Sequence, residues 1–90
     1  MIKDPEAVLP FTVDWSAWLT AENDTASAIT WTVPTGLTQE ATPAPTIVSG
    51  KATVWISGGT PGETYPVVCR IATTGGRVDE RTIRIRVEQR

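Results

Sequence analysis

The chain has 90 residues, the size of one small domain, and its 40% hydrophobic and 20% charged residues form an ordinary globular composition. It contains no histidine, which excludes histidine-based triads and zinc–histidine sites, and a single cysteine, which excludes an internal disulfide. Its formal net charge is −2. No apolar run approaches the roughly 18 residues of a membrane span, and no phosphate-binding glycine motif or separated carboxylate pair is present. We therefore expect a protein that is not an enzyme, with no metal, no cofactor and no membrane contact.

The first residues predict an extended N-terminal arm (residues 1–9), followed by a single β-sandwich domain (residues 10–90). Pro5 and Pro10 oppose a helix there. Such an arm can pack on its own sheet or reach a neighbouring molecule. The N-terminus lacks the basic and apolar regions of a secretory signal, and the cysteine is unpaired, so we expect synthesis in a reducing cytoplasm.

A first strand is predicted over residues 10–15, and a short helical turn follows it. Asp14 or Ser16 can cap this turn. Three apolar side chains then share one face of the turn, which would plug one end of a sandwich: Trp15, Trp18 and Leu19. The alternative is a cluster of exposed tryptophans that binds sugar or peptide.

The middle of the chain alternates between polar loops and short strands. Residues 21–27 predict a solvated loop, since Glu22 and Asp24 lack the ligand spacing of a calcium loop. Residues 29–33 alternate clearly and predict a strand. The proline-interrupted residues 38–48 predict one or two short edge strands, because proline cannot donate to a central ladder.

Residues 51–56 predict a strand that points Trp55 outward. The sequence leaves open whether this tryptophan is shielded by a threonine-rich face or available for contact. Tyr65 follows a glycine-bearing turn at residues 58–62. As in the tyrosine corner of immunoglobulin-like domains, we expect its hydroxyl to bond to upstream backbone, although Tyr65 stands four residues before Cys69 and not the usual two.

Two alternating runs, residues 65–71 and 81–87, flank the glycine pair 75–76 and predict a β-hairpin. Both apolar rows consist of odd-numbered residues, so odd positions of one strand must lie opposite odd positions of the other for both rows to face the core. A two-residue turn at Gly75 and Gly76 would pair odd with even positions and is therefore excluded. We predict a three- or five-residue loop or a bulge, with a glycine at positive φ. We expect Cys69 to be a core residue opposite Ile83. Three arginines would project from the other face: Arg70, Arg84 and Arg86.

Charge is unevenly distributed along the chain. Residues 1–40 carry one lysine and six acids, whereas all six arginines follow Cys69. Local neutralisation between the first and last strands is one interpretation, and a contact surface for an acidic partner is the other. Nucleic acid is not expected, because acids interrupt the arginine row and no aromatic residues alternate with it. The candidate interaction surface comprises Arg70, Arg77, Arg84, Arg86, Trp55 and Trp18.

The predicted elements amount to about seven short strands with frequent turns and one short helical turn. This pattern predicts an all-β fold, an immunoglobulin-like antiparallel β-sandwich. A small, partly open barrel is the second possibility.

Four blocks, in this order, resemble the small immunoglobulin-like structural proteins of tailed phages and prophages, of the fibre-tail adaptor type: Val13–Leu19, Thr30–Leu37, Ala52–Thr60 and Thr74–Arg81. The resemblance spans about residues 3–87, although residues 38–48 match nothing diagnostic. It implies a virion protein made in the host cytoplasm, an adaptor or connector in the tail or neck region that joins other virion proteins, with homo-oligomerisation as a further expectation. The alternative is a carbohydrate- or cell-surface-binding immunoglobulin-like module on the head or a tail fibre, using Trp18 and Trp55.

Overall fold

The computed structural model describes residues 2–42 and 44–88. These residues form eight strands and one short helix: β1 (Ile2–Lys3), β2 (Leu9–Asp14), α1 (Ser16–Ala21), β3 (Ala26–Thr32), β4 (Leu37–Gln39), β5 (Thr46–Val48), β6 (Lys51–Gly58), β7 (Thr64–Thr73) and β8 (Val78–Val87). The prediction of an all-β fold with one helical turn is therefore confirmed.

The strands form two four-stranded sheets. The first sheet has the order β1-β8-β7-β3; in the second, β2 pairs with β6, and β4 and β5 both pair with β6. The two short edge strands predicted for residues 38–48 are β4 and β5, although Pro43 lies outside the described residues. The immunoglobulin-like assignment stays a prediction. It is supported by the grouping of β3 with β7 and β8, and of β2 with β6, which matches strands C, F, G and B, E of such domains.

The arm belongs to the first sheet over the residues that form β1. Ile2 and Lys3 pair with Arg86 and Val87, in the one parallel pairing between described strands. The sequence allowed the arm either to pack on its own sheet or to reach a neighbouring molecule, and the structure shows it on its own sheet. The division of the chain at residue 9 stays a prediction.

The inner faces of the two sheets pack against each other and form the core. One cluster joins both sheets near β1: Phe11, Leu37, Val54, Ile56, Val67, Ile85 and Val87. The second lies under α1: Val13, Trp15, Leu19, Ala52, Cys69 and Ile71. Burying one large apolar side chain contributes about 1.5–3 kcal/mol, so these alternating rows supply the main driving force for the sandwich.

The helix α1 closes one end of the sandwich, as predicted. Trp15 is fully buried and Leu19 is 7% exposed. The predicted side-chain cap is wrong, because the N-cap position is occupied by Trp15, which makes no side-chain cap. Instead, the Oδ1 atom of Asp14 accepts a hydrogen bond from the Ser16 backbone N–H at 2.9 Å.

The predicted polar loop at residues 21–27 is too long, because β3 begins at Ala26. Ala26 pairs with Thr73, and a register shift follows before Ala28 pairs with Ala72. The shift hides the strand from an alternation pattern, since it moves side chains between faces.

In the β7–β8 hairpin, the prediction that odd positions face odd positions is confirmed, but the predicted register is wrong by two residues. The Thr73 N–H donates to the Arg77 carbonyl at 2.8 Å, which leaves a three-residue loop, and Gly76 takes φ 90°. Odd residues face odd residues throughout. The expected pairing of Cys69 with Ile83 is wrong, because the positive-φ glycine lies at the last loop position. Cys69 faces Arg81 and Val67 faces Ile83.

The corner at Tyr65 is confirmed. The Thr60 backbone N–H donates to the Tyr65 hydroxyl at 3.0 Å. Gly36 lies against the tyrosine ring, and a Cβ atom added there would come within 2.7 Å of it. The ring therefore ties the β6–β7 turn to the turn that precedes β4.

Candidate interaction surfaces

The outer face of the first sheet carries three of the predicted arginines. The strand register places Arg70 opposite Glu80, Arg84 opposite Pro66 and Arg86 opposite Thr64, and all three arginines are exposed. We call this surface the arginine face, defined by Arg70, Arg84 and Arg86.

Acids partly neutralise the arginine face. Arg70 Nη1 lies 2.9 Å from Glu80 Oε1, and Arg86 Nε lies 2.6 Å from Glu88 Oε1. These arginine side chains are each 54% exposed. Ion pairs this exposed contribute at most about 1 kcal/mol, so a partner carboxylate can replace Glu80 or Glu88 at little cost.

Arg77 lies apart from the other three arginines, in the hairpin loop. Its Nε atom is 3.3 Å from Glu22 Oε2, and its Nη1 atom is 3.0 Å from Asp24 Oδ2. These pairs join the α1–β3 loop to the β7–β8 loop. In these pairs, two acids from the N-terminal half of the chain neutralise an arginine from the C-terminal half, which agrees with the local-neutralisation interpretation.

The carboxylate of Asp24 is the centre of this connection, which we call the Asp24 latch. Its side chain is 4% exposed. Its Oδ1 atom accepts hydrogen bonds from the backbone N–H groups of Thr25 (2.8 Å) and Gly75 (3.0 Å), and from the Thr74 hydroxyl (3.1 Å). The sequence pattern predicts only a solvated loop at Asp24, and the partners Thr74 and Gly75 lie about 50 positions further along the chain, beyond the reach of a local pattern.

Hydrogen bonds to the charged form shift the Asp24 titration. The Thr73 hydroxyl, followed by the Thr25 and Gly75 N–H groups and the Arg77 guanidinium, holds the pKa of Asp24 well below its usual range. Burial of the carboxylate opposes this shift. The Asp24 carboxylate is therefore ionised at neutral pH.

The structure does not bring Trp18 and Trp55 together. Trp55 lies on the outer face of β6, half-buried, opposite Pro10. Trp18 packs edge-on against Trp15, with ring centroids 5.4 Å apart, beside the second core cluster. No shared tryptophan platform of the kind that binds a sugar is formed by these two residues.

Arg81 is not among the interaction residues predicted from the sequence, although its odd position puts it in the inward row of β8 in either register. Its Nη1 atom donates to the Asp14 carbonyl at 2.6 Å, and its guanidinium carbon lies 4.4 Å from the centroid of the Trp15 ring. It therefore closes the side of the sandwich between β2 and β8. A three-residue loop ending at Gly76 was the sequence signal that would have placed it.

The opposite side of the sandwich, between β3 and β5, is open. A groove with a volume of about 520 Å³ runs there beside α1. We call it the side groove, with its apolar part formed by Leu19, Ala26 and Ile47 and its polar rim by Ser16, Asn23 and Thr25.

Residues 2–42 and 44–88 contain neither a cluster of metal ligands nor a helix that could span a membrane. No group of three or more potential ligand side chains is close enough there to hold a metal ion, and in the same ranges no helix has the length and apolarity needed to cross a membrane. Cys69 is a buried core residue, as predicted. Burial raises the pKa of its thiol, and the Trp15 indole N–H points to its Sγ atom at 3.4 Å.

Comparison with known proteins identifies the family. No curated protein matches the chain. A family model described as podophage GP4 fiber-tail adaptor protein gp77 matches residues 3–86, which extend from β1 to β8. Proteins of this family are structural adaptors of the phage tail. Such an adaptor is a component of the virion and contacts other virion proteins. The chain belongs to the podophage GP4 fiber-tail adaptor protein gp77 family.

Proposed function

We propose that this tail adaptor holds two different virion proteins on the two outer faces of its sandwich. The sheets pack face to face, so their outer faces point in opposite directions. The observation that carries the proposal is the register, which puts the arginine face on one side and Trp55 on the other. Two opposed surfaces of different chemistry suit a protein that links two partners.

The arginine face fits an acidic partner surface. A guanidinium presents five N–H donors in a fixed plane and binds carboxylates in bidentate fashion. The existing ion pairs of Arg70 and Arg86 are exposed and weak, so exchanging them for partner carboxylates costs little. The paired acids also disfavour phosphate backbones, so the proposal includes no nucleic-acid contact.

The opposite outer face fits a less charged partner. Trp55 is half-buried there, and the Thr12 and Thr53 hydroxyls share a hydrogen bond of 2.9 Å nearby. Tryptophan is frequent among the residues that dominate interface energetics. The remaining parts of the proposal are synthesis in the host cytoplasm, no catalytic step and no membrane contact.

The test compares two variants against two partners, the purified tail and the purified fibre. A charge reversal of the arginine face (Arg70→Glu, Arg84→Glu, Arg86→Glu) should weaken binding to one partner at least about tenfold and leave the other unchanged. Trp55→Ala should show the opposite selectivity. Near-ultraviolet circular dichroism checks that both variants fold. Folded variants that lose both partners, or neither, would contradict the two-face model.

We further propose that copies of the adaptor form a closed oligomer, since head-to-tail contacts between copies generate a ring when their rotation closes. Light scattering across protein concentration should give one fixed mass above that of a monomer. A monomer at every concentration would sink this part of the proposal and leave the two-face model to the binding assays.

A further inference from the structure

The strand β3 is an edge of the first sheet that is open to strand addition. It pairs only with β7. Its residues, Ala26–Thr32, include no charged side chain and no proline. An edge of this kind presents unpaired N–H and C=O groups that another strand can use.

The other described edges carry features that hinder pairing. β2 contains Pro10 and ends with Asp14. The part of β8 that β1 leaves uncovered carries several charges, among them Asp79, Glu80 and Arg81. β4 and β5 have three residues each. Among the described strands, β3 is thus the long edge without protection against strand addition.

The side groove lies next to the start of this edge. Ala26 of β3 and Ile47 of β5 both line it. Ile47 points to the inner side, because it pairs with the buried Ala52, yet it stays 39% exposed. A strand added beside β3 would extend the first sheet over Ile47, and its inward side chains would fill the groove.

An unsatisfied donor lies on the same strand. The Trp31 Nε1–H is buried and has no acceptor among the described residues. Leaving a buried donor unpaired costs about 1–3 kcal/mol.

Charge indicates which kind of strand would bind. Between Asp4 and Gly50 the chain carries six acids and no lysine or arginine. Glu22 stands just before β3 and its side chain is 41% exposed, and Glu40 follows β4.

Two arginines lie near this edge, Arg77 between Glu22 and Asp24, and Arg70 opposite Thr30 on β7. Four acids outnumber them: Glu22, Asp24, Glu40 and Glu80. Two copies that met β3 to β3 would therefore bring together two surfaces of the same net sign. A different protein with basic residues beside its strand would complement these acids.

We propose that the β3 edge and the side groove bind an extended segment of another virion protein. The segment pairs with Ala26–Thr32 as an added strand, alternates apolar with polar residues, and carries lysine or arginine at its ends. Backbone hydrogen bonds would give affinity, and the groove would select the apolar side chains. This contact is separate from the two outer faces.

The test titrates the full-length ¹⁵N-labelled protein with a synthetic peptide in which valine and threonine alternate between terminal lysines. Peptide concentrations up to about 2 mM detect dissociation constants in the millimolar range. We expect chemical-shift changes at the amides of Ala26–Thr32 and Ile47. A peptide with terminal glutamates should bind several-fold more weakly, and one with a central proline should not bind.

Two matched variants locate the contact. Thr30→Lys puts a charge on the β3 edge and should abolish the shift changes, whereas Thr82→Lys makes the same change on β8 and should leave them intact. No shift changes at about 2 mM, or changes confined to the arginine face, would overturn the proposal. Changes in β3 that depend on protein concentration without peptide would assign the edge to a second copy instead. Since the peptide assay involves neither tail nor fibre, its failure and that of the two-face model are distinguishable.

Discussion

At the scale of single residues, Asp24 shows how one carboxylate can connect distant parts of a small domain. It receives hydrogen bonds from its own loop and from the β7–β8 loop, about 50 positions away. Because these bonds stabilise the charged form, the folded protein holds the pKa of Asp24 below its unfolded value. The stabilisation is complete above the unfolded pKa of about 3.9 and is lost as the pH falls towards the folded pKa.

Asp24→Asn should therefore lower the melting temperature by several degrees at neutral pH, because the amide cannot pair with Arg77 or accept as strongly from the Gly75 N–H. Below about pH 4 the wild type should lose stability as the pH falls, and the variant should lose less, so that the two melting curves approach each other. Asp79→Asn, an exposed acid of the same hairpin, serves as the control. Parallel pH profiles for wild type and Asp24→Asn would contradict the latch.

At the scale of elements, the β7–β8 hairpin depends on its loop for its register. Gly76 adopts φ 90°, and an added Cβ atom there would meet no other atom within 4 Å. Any cost of substitution is therefore conformational rather than steric. The loop sets which residues face each other along both ten-residue strands.

Gly76→Ala should lower the free energy of unfolding by about 1–2 kcal/mol, which is the usual penalty of a left-handed conformation for an L-residue. Gly76→Asn should recover much of this loss, since asparagine tolerates that conformation. Urea unfolding followed by tryptophan fluorescence measures both. Equal stability of the alanine and asparagine variants would show that the backbone angle at residue 76 does not limit the hairpin.

At the scale of the whole molecule, Lys3 connects the two sheets. Its backbone belongs to β1 in the first sheet, while its Nζ atom donates to the carbonyl of Gly58, at the end of β6 in the second sheet, at 2.7 Å. The residue is fully buried, and it also donates to the Asp4 carbonyl at 2.8 Å. Burial lowers the pKa of Lys3, while the charge of Asp4 opposes this shift.

Lys3→Met should destabilise the protein by about 1–3 kcal/mol, because methionine fills similar space but leaves the partly buried Gly58 carbonyl without its donor. Lys51→Met, at an exposed lysine, should change stability by less than about 0.5 kcal/mol. Calorimetry measures both variants. If the two variants are equally stable, the Lys3 side chain contributes nothing to holding the sheets together.

The sequence by itself determined the periodic features of this protein. The inward rows of β2, β6, β7 and β8, the helical turn after Trp15, the odd-to-odd hairpin and the core position of Cys69 all follow from side-chain alternation, which is a local property of the chain. The outward direction of the arginine face follows from the same alternation. The adaptor function was predicted from four sequence blocks that resemble a known family, because residue chemistry alone did not indicate it.

The tertiary structure alone decided which distant residues meet. Strand register and strand order decide three features of the first sheet: the pairing of Cys69 with Arg81, the latch between Asp24 and the β7–β8 loop, and the open edge at β3. The packing of the two sheets decides the burial of Lys3 against Gly58. Local periodicity cannot distinguish registers that differ by two residues, because both keep the same side chains inside. Loop conformation and long-range hydrogen bonds make that choice, and they exist only once the chain has folded.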